Sequence, residues 1–124
     1  MANAKVLIVD DAGFIRNLIK NHLAGKPIEI VGEAANGKDA LELFKEKSPD
    51  IVTMDITMPE MDGLTCMSEM LKLRGEVKVL VITALSNKTT LLEAIQGGAA
   101  GYLAKPFKEE RLVEEFDKIL AAGG

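Results

Sequence analysis

The chain has 124 residues, a length that suits one compact domain. Hydrophobic residues make up 48% of it, enough for a core and too many for a disordered segment. Lys plus Arg is 15 and Asp plus Glu is 19, so the net charge is 15 − 19 = −4, and without a cationic run this argues against a general nucleic-acid binder.

The single cysteine, Cys66, rules out an intramolecular disulfide, and its distance in sequence from the single histidine, His22, gives no zinc spacing. Cys66 falls within an amphipathic helical pattern and reads as a half-buried thiol. His22 falls near the end of the first helix, where a cation is compatible with the dipole. No signal peptide precedes the first apolar run, and no apolar stretch approaches the length of a bilayer span, so a cytosolic location is expected.

Residues 5–9 form a short β-branched run that predicts a buried strand ending at Asp10-Asp11. Residues 13–24 place Phe14, Ile15, Leu18, Ile19 and Leu23 at helical spacing, and Gly25 and Pro27 stop that helix. Residues 28–34 alternate apolar and polar, which predicts a strand nearer an edge. Asn36 can cap the next helix, with Ala40, Leu41 and Phe44 on its face and Pro49 at its end. A third strand, 51–54, closes at Asp55, and a Met-rich loop leads to a helix opening at Asp62-Gly63. Residues 77–82, almost wholly apolar, read as a central strand. A helix over 86–97 is capped by Ser86 and stopped by Gly97-Gly98. A short strand at 100–103 precedes a last helix over 108–121, with Leu112, Val113, Phe116, Ile119 and Leu120 on one face. Strand and helix alternate five times, which predicts an α/β fold with a parallel sheet covered by helices on both sides. The whole chain, 1–124, is expected to be one such domain.

The chemistry is written at the strand ends, where open parallel sheets bind ligands. The first strand ends in Asp10-Asp11, the third in Asp55 and the fourth in Thr83, and the fifth leads to Lys105-Pro106. With a strand order of 2-1-3-4-5, Asp10, Asp11 and Asp55 share one pocket. Two like charges about 4 Å apart cost about 4 kcal/mol at an effective dielectric near 20. Either protons are shared or a cation neutralises the group, and an oxygen-only ligand set suits Mg2+. Lys105 adds a fixed positive charge and Thr83 a hydroxyl, so the set is suited to holding a phosphoryl group. Any one of these acids alone would read as a helix N-cap, and Asp62 before Gly63 is read that way. The whole set at the correct strand ends is not explained by capping.

These residues fall in V-D-D at 9–11, M-D-I-T-M-P-E-M-D-G at 54–63, I-T-A at 82–84 and K-P-F at 105–107. In these motifs, and over essentially its whole length, the chain resembles the receiver domains of two-component response regulators, above all the stand-alone chemotaxis members. The resemblance implies a flavodoxin-like sheet of order 2-1-3-4-5 and a phosphoprotein switch rather than an enzyme with an external substrate. It implies Asp55 as phosphoacceptor, Asp11 as a direct Mg2+ ligand, Asp10 acting largely through water, and the Thr57 backbone carbonyl completing the protein ligands. It further implies Lys105 as the phosphoryl contact, Thr83 as the switch hydroxyl, Tyr102 as the switch aromatic and a cis Lys105-Pro106 bond. Read without the family, Tyr102 is an edge-strand aromatic and Thr83 a satisfied core hydroxyl. The Met residues at 54, 58, 61, 67 and 70 are mostly packing, with Met58 and Met61 suited to a partner surface if exposed.

The partners implied are a sensor histidine kinase as phosphodonor, a downstream protein target such as a flagellar switch protein, and a phosphatase, with no direct nucleic acid and no membrane. Two departures stand out. Leu85, two residues past Thr83, is apolar where the family flanks the path of attacking water, which implies slow loss of the phosphoryl group. Lys108 stands where a Ser/Thr cap is common. Three rival readings differ in testable features. A module of a longer, DNA-binding regulator would need further chain. A small Asp-nucleophile phosphatase would carry D-x-D where this chain has Asp10-Asp11. A flavin-binding relative would need a hydroxyl-rich phosphate loop where these acids repel one.

Overall fold

The computed structural model describes residues 3–58, 61–84 and 87–123. Five strands, β1 (Ala4–Val9), β2 (Ile28–Ala34), β3 (Ile51–Met54), β4 (Lys78–Thr83) and β5 (Gly101–Ala104), form one sheet in the order β2-β1-β3-β4-β5. Every neighbouring pair is parallel. Parallel neighbours need crossovers, and the helices α1 (Gly13–His22), α2 (Gly37–Lys47), α3 (Gly63–Leu73) and α4 (Lys88–Gln96) supply them. Helix α5 (Glu109–Gly123) follows β5. Among the described residues, no helix is long and apolar enough to cross a membrane.

The period-2 alternation of the strands divides the core in two. Leu7, Val9, Val52, Met54, Val79 and Val81 face α2, α3 and α4 and pack with Phe44, Cys66, Met67 and Met70. Val6, Ile8, Ile51, Leu80 and Ile82 face the other way and pack with Ile19 of α1, Leu23 at its C-cap, and Leu112, Phe116 and Ile119 of α5. Strands filled on both faces read as continuous apolar runs, as β1, β3 and β4 do. Edge strand β2, half-exposed along most of its length, shows the alternation instead.

Helix starts follow local chemistry. The Asn36 side chain accepts from the Asp39 N–H and Asp62 from the Thr65 N–H, so both act as the expected caps. Helix α4 differs from expectation: it starts at Lys88, with the Asn87 side chain accepting from the Thr90 N–H. Ser86, the expected cap, lies outside the described residues. At α5 the Lys108 carbonyl accepts from the N–H groups of Arg111 and Leu112. Helix α2 ends at Ser48, which takes a left-handed φ of 48° without being glycine. Two side chains correct the sequence reading. Phe14 is 73% exposed rather than inward, and Cys66 is fully buried rather than half-buried.

Candidate phosphoryl-acceptor and metal pocket

Strands β1 and β3 are neighbours, and the backbone N–H of Asp55 donates to the Val9 carbonyl at 3.0 Å. The register Val9↔Met54 therefore carries Asp10 and Asp55 out of the sheet side by side. Carboxylate oxygens of Asp10, Asp11 and Asp55 all lie within 4.8 Å of one another. Asp10 and Asp55 are buried and Asp11 is exposed.

Each buried acid is held from several sides. The Asp10 N–H donates to the Ala34 carbonyl at 3.0 Å. Asp10 Oδ1 accepts from the Ala12 N–H at 2.9 Å, and its Oδ2 accepts from Lys105 Nζ at 2.7 Å. Asp55 Oδ1 accepts from the Thr57 N–H at 3.2 Å, and its Oδ2 faces Lys105 Nζ at 3.4 Å. Lys105 reaches them because its backbone N–H donates to the Thr83 carbonyl at 2.9 Å, which fixes the end of β5 beside β4. The Lys105-Pro106 peptide is cis.

Burial pushes the Asp55 carboxyl above its usual range, with the Lys105 charge opposing and the Asp10 charge adding to it. The charged form of Asp55 is thereby less favoured than that of a free carboxylate, and a further positive charge would offset this. The donor set is wholly oxygen, anionic and open on the Asp11 side, which fits a hard divalent cation such as Mg2+.

Thr83 is fully buried at the end of β4, paired in register with Ala104. Tyr102 is half-buried on β5 opposite Val81, and burial raises its phenol above the usual range. Thr57 is exposed, with its N–H turned to Asp55. Met58 and Met61 are partly buried against the α2–α4 side of the core. Leu85 lies outside the described residues. His22 Nδ1 sits 3.3 Å from Glu109 Oε1, and its ring meets Phe107 edge-on with centroids 6.2 Å apart.

Sequence reasoning did not single out Arg16. Its Nη1 donates to the Asp10 carbonyl at 2.6 Å and its Nε to Glu33 Oε1 at 3.1 Å. Glu33 Oε2 accepts from Lys20 Nζ at 2.6 Å, and this bond, with that from Arg16, keeps the Glu33 carboxyl below its usual range against the effect of burial. The signal lay in position: Arg16 is one helical turn past the loop carrying the acids, four residues from Lys20 on the same face.

An acid pocket at the strand ends of a 2-1-3-4-5 sheet, with a lysine reaching in from after β5, defines a class. The chain belongs to the response regulator receiver domains, whose family model matches residues 6–117. As a receiver domain it is a signalling switch rather than a conventional enzyme. It is 44% identical over 116 residues to the chemotaxis protein CheY of Bacillus subtilis (strain 168), covering 94% of this chain and 97% of that one. It is 40% identical over 129 residues to a protein-glutamate methylesterase/protein-glutamine glutaminase of Alkalilimnicola ehrlichii, covering 97% of this chain and 33% of that protein. The crystal structure of a CheX-CheY-BeF3-Mg complex from Borrelia burgdorferi superposes with a TM-score of 0.90 at 30% identity, covering 94% of this chain and 89% of that one.

Proposed function

We propose that residues 1–124 form one receiver domain that accepts a phosphoryl group on Asp55 from a phosphohistidine of a sensor histidine kinase. The observation that carries this reading is the meeting of three carboxylates from two loops, within 4.8 Å, with Lys105 against the two buried ones. A carboxylate oxygen of Asp55 attacks phosphorus in line. The P–N bond to imidazole breaks, the imidazole takes up a proton, and an acyl phosphate remains on Asp55. Bound Mg2+, held by Asp10, Asp11, Asp55 and the Thr57 carbonyl, would neutralise the acids and the phosphoryl oxygens. Lys105 stabilises negative charge on the transferring group from its fixed place beside Asp55. The same pocket supports phosphorylation by small phosphodonors and slow self-hydrolysis.

Thr83 is then drawn toward the phosphoryl group and Tyr102 turns into the space it leaves, biasing a two-state equilibrium. The faces of α4, β5 and α5 change, and a downstream protein binds there with altered affinity. The CheY resemblance favours a cytoplasmic chemotaxis role, with a flagellar switch protein as target and a phosphatase resetting the state. A second reading, a receiver that works within a longer regulator, is favoured by the methylesterase of which this chain matches 33%.

The test is incubation with acetyl phosphate and Mg2+ followed by intact mass. One phosphoryl adduct is expected in the wild type and none in Asp55→Asn; a full-level adduct on the variant would place the acceptor elsewhere.

A further inference from the structure

Asp10 is held at every polar atom by a different partner. Ala34 takes its N–H, the Ala12 N–H and Lys105 take its two carboxylate oxygens, and Arg16 takes its carbonyl at 2.6 Å. The first three fix Asp10 itself. The fourth acts on the next residue, because the Asp10 carbonyl lies in the same rigid peptide plane as the Asp11 nitrogen. Orienting that carbonyl orients the start of Asp11, the exposed member of the acid cluster.

We propose that Arg16, braced by Glu33, is a positioning residue that sets the Asp10–Asp11 peptide and so the relative placement of the two carboxylates. The assignment rests on the reading that these acids hold a divalent cation. A planar guanidinium suits the task, since its Nε and Nη1 can bond two acceptors on different strands at once. Here those acceptors are Glu33 in β2 and the Asp10 carbonyl just past β1. Lys20 holds the other oxygen of Glu33 at 2.6 Å, so the brace is itself fixed. The ion pair is part of the fold rather than loose surface decoration: the Arg16 and Glu33 side chains are 22% and 32% exposed. Gly13 leaves room for it, because a Cβ there would stand 3.3 Å from Arg16 Nη2.

Charge and placement predict opposite signs. Removing a cation beside an acidic site strengthens binding of another cation. Removing the group that orients a ligand weakens it, by about tenfold or more at metal sites. The experiment titrates Mg2+ into the full chain by calorimetry for the wild type, Arg16→Ala, Arg16→Lys and Glu33→Gln, with circular dichroism confirming that each is folded. Arg16→Ala is expected to raise the Mg2+ Kd about tenfold. Arg16→Lys, a point charge that cannot bridge both acceptors, should not restore it, and Glu33→Gln should shift it in the same direction. Phosphorylation of Arg16→Ala by acetyl phosphate should return to within about twofold of wild type at saturating Mg2+, since the defect lies in affinity.

An unchanged or lower Kd in Arg16→Ala overturns the assignment, as does full rescue by Lys. If Arg16→Ala does not fold, Arg16→Met, which keeps the aliphatic stem but loses the charge and both donors, decides in its place, by the same sign. A wild type that takes up no Mg2+ overturns the metal reading together with this one. A wild type that binds while the variants match it overturns this one alone.

Discussion

Gly63 stands so close behind Asp55 that a Cβ on it would fall on the Asp55 carbonyl oxygen. The same atom would come within 2.8 Å of the Asp55 carbonyl carbon and of Ile56 Cα, and backbone cannot swing aside as a side-chain tip can. The closeness is built in, since the Gly63 N–H donates to the Ile56 carbonyl at 2.8 Å. Gly63→Ala should therefore cost about 3 kcal/mol in urea unfolding, at the upper end for overpacked sites. Gly75, where a Cβ would lie 3.8 Å from the Leu71 carbonyl, is the control, and Gly75→Ala should stay within about 0.5 kcal/mol. Equal midpoints for the two variants would contradict this.

Burial holds the Asp55 carboxyl above the ordinary aspartate value of 3.8. The folded chain thus keeps a proton that the unfolded chain has released. This contribution to stability is complete below 3.8 and is lost as pH rises through the native value. Asp55→Asn has no charge to desolvate. In chelator it should outlast the wild type in urea at neutral pH, with the gap closing as pH falls toward 4. A gap that is constant or grows on acidification would rule out burial of Asp55 as its source.

Lys105 stands 2.7 Å from Asp10 and 3.4 Å from Asp55, against two acids at once. Lys105→Ala removes a cation that competes with any metal and, on the proposed function, a donor that would meet the phosphoryl group. Mg2+ should bind more tightly by calorimetry, while phosphorylation by acetyl phosphate slows by roughly 100-fold. Slower phosphorylation with weaker Mg2+ binding would point to a collapsed pocket instead.

The two phenylalanines facing opposite fates give a stability test. Phe14 is 73% exposed and Phe116 is 0% exposed. Phe116→Ala should cost about 3–5 kcal/mol in urea unfolding. Phe14→Ala should stay within about 0.5 kcal/mol, and a large loss there would mean that its ring is packed.

On the proposed function, the sequence position of Leu85 alone predicts an effect on the lifetime of the acyl phosphate. A polar side chain there could orient attacking water. Leu85→Glu should accelerate loss of the phosphoryl group about tenfold, equivalent to about 1.4 kcal/mol in the barrier. Equal or slower decay, followed by intact mass after the donor is removed, would refute the idea.

The strands and the acid set were legible because each rests on a local pattern, whereas the strand order was implied by the resemblance to the receiver family and not by any local pattern. Apolar runs mark β1, β3 and β4, and the acids sit where the first two of those runs stop. Asn36 and Asp62 were legible as caps because an N-cap is a contact between near neighbours in sequence. Phe14 was misplaced because helical spacing sees only its own helix. A residue beside Ile15 on the first turn can point into solvent, and nothing in the period says so. Cys66 was read as half-buried because its depth depends on α2, whose Gly37 carbonyl lies 3.6 Å from its sulfur. Arg16 was missed for a related reason. Its partners, Asp10 and Glu33, come from two strands, and an arginine on a helix face reads as solvated until the strands are in place.

Tyr102 and Leu103 are consecutive, yet they belong to opposite halves of the interior: Tyr102 packs against the α2–α4 side and Leu103 lies within the α1–α5 side. The outermost strand after Thr83 is therefore stitched into both layers by adjacent stitches. A sideways slip of that strand tugs on both layers together, so spectroscopic labels placed separately on α4 and on α5 should report a single event with one time constant.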